Sequence, residues 1–182
     1  MVRRSYLSTE LRRGPTPRTW ILPLTEDECS GAGRLFGGTG LGAAVRALEA
    51  DAARPLVWAT AQFISHAVPG EDLTLEVDLL AEGRATTQAR ARGHVDGREV
   101  IAVFATLGRR DVARSGVWVS PPDAPPPEDC PPFPSRSATR SVSANLERRL
   151  VRGRTVDHEP AMDDGRVAMW VRVPGHLVVD PA

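Results

Sequence analysis

Hydrophobic and polar positions alternate along several stretches in the middle of the chain. Between residues 72 and 80 every second side chain is apolar, at Leu73, Leu75, Val77 and Leu79. Such alternation predicts a strand with one buried face. Short turns join the runs from residue 55 onward, so those strands are predicted to pair antiparallel. The other strand-like runs lie at 19–25, 55–68, 84–95 and 98–108.

A helical spacing interrupts the strands between residues 38 and 52. Leu41, Ala44, Val45 and Leu48 recur at the interval of an α-helix. Glycine and alanine occupy most of the remaining positions, so the helix is predicted to be buried on nearly all sides. One buried helix against one antiparallel sheet is an α+β layer architecture. The small residues suit a strongly curved sheet wrapped around the helix, which is the hotdog arrangement.

Proline divides the chain into parts. The stretch SPPDAPPPEDCPPFP at 120–134 cannot lie in a helix or a central strand, because proline lacks an amide donor and fixes φ. We therefore expect one complete hotdog unit followed by the start of a second. The expected parts are an N-terminal extension at 1–17, a hotdog domain at 18–108, a linker at 109–136 and a second, incomplete domain at 137–182.

The composition narrows the class of protein. The 23 arginines balance 23 acidic residues and lysine is absent, so the formal net charge is zero. We expect neither a nucleic-acid partner nor a membrane surface. A cytoplasmic location is expected, because no signal-peptide pattern and no membrane-spanning apolar run is present. Cys29 and Cys130 show no metal-ligand or redox-motif spacing and are predicted to be reduced thiols.

Four glycines at positions 37, 38, 40 and 42 lead into the helix. A phosphate-binding loop would need Gly-Lys-Ser/Thr, and a dinucleotide fingerprint would need a preceding apolar strand and a second crossover helix. Neither pattern is present, so the glycines are interpreted as packing devices. The N–H groups of Gly37, Gly38 and Thr39 could also polarise a carbonyl or hold an oxyanion at the positive end of the helix. Thr39 could equally cap the helix.

Other polar groups remain open to two interpretations. His66 could contact a substrate, or be a strand-end histidine with a satisfied ring. His94 flanks a turn and is expected to be solvated. A group of arginines could meet phosphates or form a solvated face; it comprises Arg140, Arg148, Arg149, Arg152 and Arg154. The acidic turn with His158, Glu159, Asp163 and Asp164 fits no closed metal site, and we predict neither a metal nor a cofactor.

The helix and the strands that follow it resemble the acyl-CoA thioesterase II family. The likeness rests on RLFGGTGLGAAVRALEA at 34–50, on Phe63 followed by Pro69-Gly70, on a strand at 84–87, on the hairpin at 97–101 and on the proline-rich linker. The resemblance covers about residues 18–182. It implies a double hotdog that hydrolyses acyl-CoA to free acid and CoA in fatty acid metabolism. It also implies a homodimer or higher homo-oligomer, which we expect to form through a continuous sheet.

The resemblance further implies a catalytic Asp–Gln–Thr network on the second hotdog. The strand with Trp170 and Arg172 is similar to the first strand of that unit, but the family's Asp, Thr and Gln would lie beyond Ala182. On the first helix, Leu41 stands about where the Asp would be. The catalytic residues are therefore unknown. Candidate substrate-binding residues are Gly37, Gly38, Thr39 and His66.

Two expectations follow for the chain's activity. The chain is expected to be a fragment of a longer thioesterase and to be weak or inactive alone. An alternative is a non-catalytic hotdog module for acyl-CoA binding or oligomerisation. An enoyl-CoA hydratase is a further alternative, but its chemistry needs an Asp and a His at the start of the helix, and residues 35–48 contain neither.

Overall fold

Residues 10–108 form a six-stranded antiparallel sheet against a single α-helix. The computed structural model describes residues 10–109, 116–120, 122–133, 140–153 and 166–174. The predicted acidic turn at 158–164 and Arg154 lie outside them. The elements are β1 Arg12–Arg13, β2 Thr19–Pro23, α1 Gly37–Ala52, β3 Leu56–Phe63, β4 Asp72–Glu82, β5 Thr86–Val95, β6 Arg98–Gly108, β7 Glu147–Arg152 and β8 Ala168–Arg172.

The strand order in the main sheet is β1-β2-β4-β5-β6-β3, with every neighbouring pair antiparallel. The predicted β4–β5 and β5–β6 hairpins are therefore present. The predicted pairing of β3 with the strand that follows it is wrong, because β3 crosses to the far edge of the sheet and pairs only with β6. β1 falls within the segment expected to be an extension. β7 and β8 form a separate antiparallel pair.

The core lies between one face of the sheet and one face of α1. The alternation predicted for β4 is confirmed, since Leu73, Leu75 and Val77 are buried. On β5 the inward residues are small, and Ala89, Ala91 and Gly93 leave room for the helix. The sheet can therefore approach α1 closely, as the curved arrangement requires.

The helix is buried on one side only. Its buried residues are Gly40, Ala43, Ala44, Ala47 and Leu48, which share a face at helical spacing. Gly38, Gly42, Arg46 and Ala50 on the opposite side are exposed. The prediction of burial on nearly all sides is wrong, because the sheet covers one side and small residues do not indicate which side faces it.

A buried carboxylate ties the first hairpin to the end of the helix. The Asp51 side chain is 4% exposed and accepts hydrogen bonds from Arg13 Nη1 at 2.5 Å and from the Trp20 indole N–H at 3.0 Å. Arg13 also stacks over the Trp20 ring, 3.9 Å from its centre. These contacts satisfy the buried charge and fix β1 and β2 against α1.

The described part of the linker packs along β7. Pro132 forms an isolated bridge with Arg149, and the amide of Phe133 donates to the Arg148 carbonyl. The Trp170 indole N–H on β8 donates to the Pro125 carbonyl at 2.9 Å. The described linker residues form no strand, as the prolines predict, and contain one short 3₁₀ turn at Pro127–Asp129. None of the described helices has the length and apolar character needed to cross a membrane.

Candidate functional site

The candidate site is the N-terminus of α1, which has no side-chain cap. Phe36 occupies the cap position in extended conformation, and the first turn carries no acidic residue. The carbonyl of Phe36 accepts from the amides of Thr39 at 3.0 Å and Gly40 at 3.1 Å. Among the described residues, nothing accepts a hydrogen bond from the amides of Gly37 and Gly38. These two N–H groups are therefore free donors at the positive end of the helix dipole.

Thr39 differs from the other two predicted donors. It lies in the first turn rather than at the cap position, and its amide is already bonded. The alternative that Thr39 caps the helix is therefore wrong. The reason is that the helix starts at Gly37, one residue before the predicted start.

Two phenyl rings lie close to the first two helical positions. A Cβ on Gly37 would lie 3.0 Å from the ring of Phe63, and a Cβ on Gly38 would lie 2.7 Å from the ring of Phe36. Both rings are exposed. They form an apolar wall directly beside the two free amides. In the sequence Phe63 stands out only as part of a family pattern, because a ring-to-glycine contact across 26 residues has no local signal.

The loop that contains His66 lies beside the start of the helix. The Ala67 carbonyl accepts from the amide of Leu35 at 2.8 Å. Arg98 fixes the loop by donating to Ser65 Oγ at 2.8 Å and to the carbonyl of His66. The imidazole of His66 itself is exposed. The structure therefore brings the His66 loop to the same end of the molecule as Gly37 and Gly38, and within the described part of the chain the imidazole ring makes no hydrogen bond.

The two carboxylates of α1 are engaged in structural contacts. Glu49 Oε1 accepts from the amide of Leu56 at 2.7 Å, which joins the helix to β3. Asp51 is held by Arg13 and Trp20. Leu41, at the place where the family pattern has Asp, is half-buried and has no acid–base chemistry. α1 can therefore donate hydrogen bonds at its start but offers no free carboxylate as a general base.

The predicted arginine group does not form one phosphate patch in the described residues. Arg140 pairs with Asp27, which raises the pKa of the guanidinium. Arg148 lies over the Phe133 ring, and Arg149 donates to the Cys130 carbonyl at 2.9 Å. The contacts of these three residues therefore favour the alternative without phosphate binding. The described residues contain no group of three or more potential metal ligands.

Apolar side chains are exposed along the β3 edge of the sheet. Val57, Trp58 and Phe63 lie on β3, and Ile64 follows it directly. Phe104 on the neighbouring β6 is also exposed. An unpaired edge with large apolar side chains is typical of a surface that another chain or domain covers.

Comparison with known proteins places this geometry in context. Residues 25–108 match the family described as acyl-CoA thioesterase N-terminal domain. A search of the curated proteins finds no match to the chain.

Solved structures match over most of the chain. A candidate thioesterase from Novosphingobium aromaticivorans is 29% identical with a TM-score of 0.75, and the match covers 90% of this chain and 64% of that one. The tesB protein of Mycobacterium avium subsp. paratuberculosis is 25% identical with a TM-score of 0.69, covering 97% and 63%. A protein of hot dog fold from Alicyclobacillus acidocaldarius is 22% identical with a TM-score of 0.66, covering 89% and 59%, and shows the fold. The α+β hotdog prediction is confirmed. The chain thus spans less than two-thirds of the length of each of these three structures.

Proposed function

We propose, from the match of residues 25–108 to the acyl-CoA thioesterase N-terminal domain, that the chain takes part in hydrolysing acyl-CoA to a free carboxylic acid and CoA. The family predicted from the sequence is confirmed. The observation that carries the proposal is the pair of unbonded amides at Gly37 and Gly38 beside the rings of Phe36 and Phe63. An apolar wall next to two fixed donors suits an acyl thioester, whose carbonyl needs donors and whose chain needs an apolar surface.

The chemistry asked of the amides is stabilisation of negative charge. When water adds to the thioester carbonyl, charge develops on its oxygen before the carbon–sulfur bond breaks and the CoA thiolate leaves. Donors fixed by the backbone stabilise that charge without reorganising, and each is typically worth on the order of 10²–10³ in rate. The absence of a side-chain cap and of acids in the first turn leaves this end of α1 without a competing acceptor.

The group that activates water is proposed to lie outside α1. Glu49 and Asp51 lie about three to four helical turns after Gly37 and are held there by structural hydrogen bonds, so neither reaches a thioester bound at the free amides. We assign this chain the tasks of binding the thioester and polarising its carbonyl. The exposed His66 remains a proposed substrate contact.

A direct test combines binding with product release. We expect the chain to bind a thioether analogue of acyl-CoA, measured by calorimetry, and to release CoA from acyl-CoA slowly. Gly38→Ala is expected to weaken binding by about tenfold, because the added methyl group displaces the Phe36 ring. Gly42→Ala is the matched control, since an added Cβ there meets nothing within 4 Å. Absence of both binding and CoA release would contradict the proposal.

Released CoA can be followed with a thiol reagent, because the chain's own cysteines are protected. Cys29 and Cys130 are both buried free thiols. Burial, with a smaller contribution from nearby acids headed by Glu28, raises the pKa of Cys29 to about 11. At pH 7 only about one Cys29 in ten thousand is then the reactive thiolate.

A second candidate function is acyl-CoA binding without hydrolysis. The engagement of both helix carboxylates favours it, because the helix then provides donors and no base. Tight binding of acyl-CoA with no release of CoA would select this alternative.

The hydrolytic role is proposed to serve fatty acid metabolism, and the proposed location is the cytoplasm. Fractionation of cells that express the chain would test the location.

We propose that the partner of the exposed β3 edge is a second copy of the chain, paired edge to edge in a continuous sheet. Light scattering is expected to give about twice the monomer mass of 19.6 kDa. Trp58→Lys is expected to produce monomers, because a charge at the edge blocks strand pairing. Trp118→Lys, at an exposed tryptophan in the linker, is the control. Wild-type monomers at micromolar concentration would overturn this assembly.

A further inference from the structure

Residues 140–146, called here the docking segment, lie against the loop that leads into α1. Arg140 donates through Nε to Asp27 Oδ1 at 3.1 Å and through Nη2 to Asp27 Oδ2. The amide of Val142 donates to the Cys29 carbonyl at 2.9 Å. Ser141 accepts from the amide of Ala144 at 3.3 Å and so caps the 3₁₀ turn Val142–Asn145. Contacts thus join two parts of the chain that are 113 residues apart in sequence.

Burial shows which contact anchors the docking segment. Val142 is 2% exposed and Ser141 is fully buried. The Arg140 side chain is 69% exposed, so its ion pair with Asp27 is largely screened by water. Removing an apolar side chain from water is the stronger effect. Val142 therefore holds the segment in place, and the paired charges orient it.

The loop that receives the docking segment also holds the start of α1. This lead-in loop, residues 25–36, begins with a capping box in which Thr25 and Glu28 satisfy each other's backbone. Cys29, which accepts from Val142, pairs with Leu35 in an isolated bridge. The amide of Phe36 donates to the Glu28 carbonyl at 3.0 Å. Two successive contacts therefore connect Val142 to the residue that precedes Gly37.

We infer that the docking segment positions the start of α1 by holding the lead-in loop in place. The segment belongs to the second part of the chain, beyond the proline-rich linker, while the free amides belong to the first. The two parts are therefore coupled at the candidate site. The consequence for thioester binding rests on the proposed function, whereas the coupling itself does not.

Amide hydrogen exchange of the full chain tests the coupling. In Val142→Ala, the amides of Leu35 and Phe36 are expected to exchange about tenfold faster or more, because local opening of the lead-in loop becomes easier. Amides of the β5–β6 ladder should keep their wild-type rates. Val171→Ala is the matched control, since Val171 is half-exposed on β8. If the amide of residue 142 exchanges faster in Val142→Ala while those of Leu35 and Phe36 keep their wild-type rates, the inference is overturned.

A milder variant separates positioning from loss of folding. Arg140→Gln removes an exposed charge, so the core stays intact, and a smaller acceleration at the same two amides is expected. Asp27→Asn should have the same effect, and the double variant should add nothing, because both changes break one contact. Additive effects would overturn the orienting role of the ion pair.

Binding of the thioether analogue gives a readout that a merely structural role would not move. Val142→Ala is expected to raise the Kd for the analogue by about tenfold, with Val171→Ala unchanged. If the wild-type chain does not bind the analogue, the proposed function fails while the exchange result still decides the coupling. If the analogue binds to Val142→Ala as tightly as to Val171→Ala and the wild-type chain, the positioning role fails while the proposed function stands.

Discussion

Leu48→Ala is expected to lower the free energy of unfolding by about 2–5 kcal/mol. Leu48 is 0% exposed, and it is the one large side chain on the buried face of α1, where the other buried residues are glycine and alanine. Its loss leaves a cavity that the sheet cannot fill easily, because hydrogen bonds hold both edges of the sheet to α1. Asp51 binds β1 and β2 at one edge, and Glu49 binds the start of β3 at the other. Urea denaturation followed by tryptophan fluorescence measures the change.

Leu80→Ala is the matched control for that experiment. Leu80 is 52% exposed on β4, so the same truncation is expected to change stability by less than about 0.5 kcal/mol. Equal losses in the two variants would show that Leu48 is not the principal contact between helix and sheet.

Gly93→Ala is expected to destabilise the fold by about 1–3 kcal/mol, because it overfills the core. A Cβ at this position would lie 2.6 Å from Ile101 Cγ2 and 3.1 Å from methyl groups of Leu73 and Leu75. The neighbouring strand cannot retreat, since β5 is paired on both sides. Thermal unfolding followed by circular dichroism measures the change.

The same substitution elsewhere is expected to have the opposite sign. Gly42→Ala adds a methyl group in open space on the exposed side of α1 and should stabilise the helix by up to about 1 kcal/mol. If both glycine variants destabilise the chain, then the exposed side of α1 is covered by something in solution.

The sheet was largely predictable because its signal is local. Alternation fixed the buried face of β4, and the Asp96-Gly97 turn predicted the β5–β6 hairpin that is observed. The helix was expected at 38–52 and is found at Gly37–Ala52. Its exposed side was not predicted, since a helix of small residues has little contrast between its faces.

The candidate site was predictable only in part. The glycines pointed to the start of a helix, but the free amides are those of Gly37 and Gly38 and not that of Thr39. The rings of Phe36 and Phe63, and the pairing of Asp27 with Arg140, depend on tertiary contacts. No periodicity relates residues that meet only after folding, so sequence patterns do not report them.

The distance along the chain between Asp27 and Arg140 has a consequence for synthesis. A ribosome adds about 5–20 residues per second, so the 32 residues from Gly108 to Arg140 take roughly 2–6 s to make. The main sheet and α1 need only residues up to Gly108, and small domains fold well within that time. The nascent hotdog can therefore fold first, and the contact of its lead-in loop with Val142 forms last.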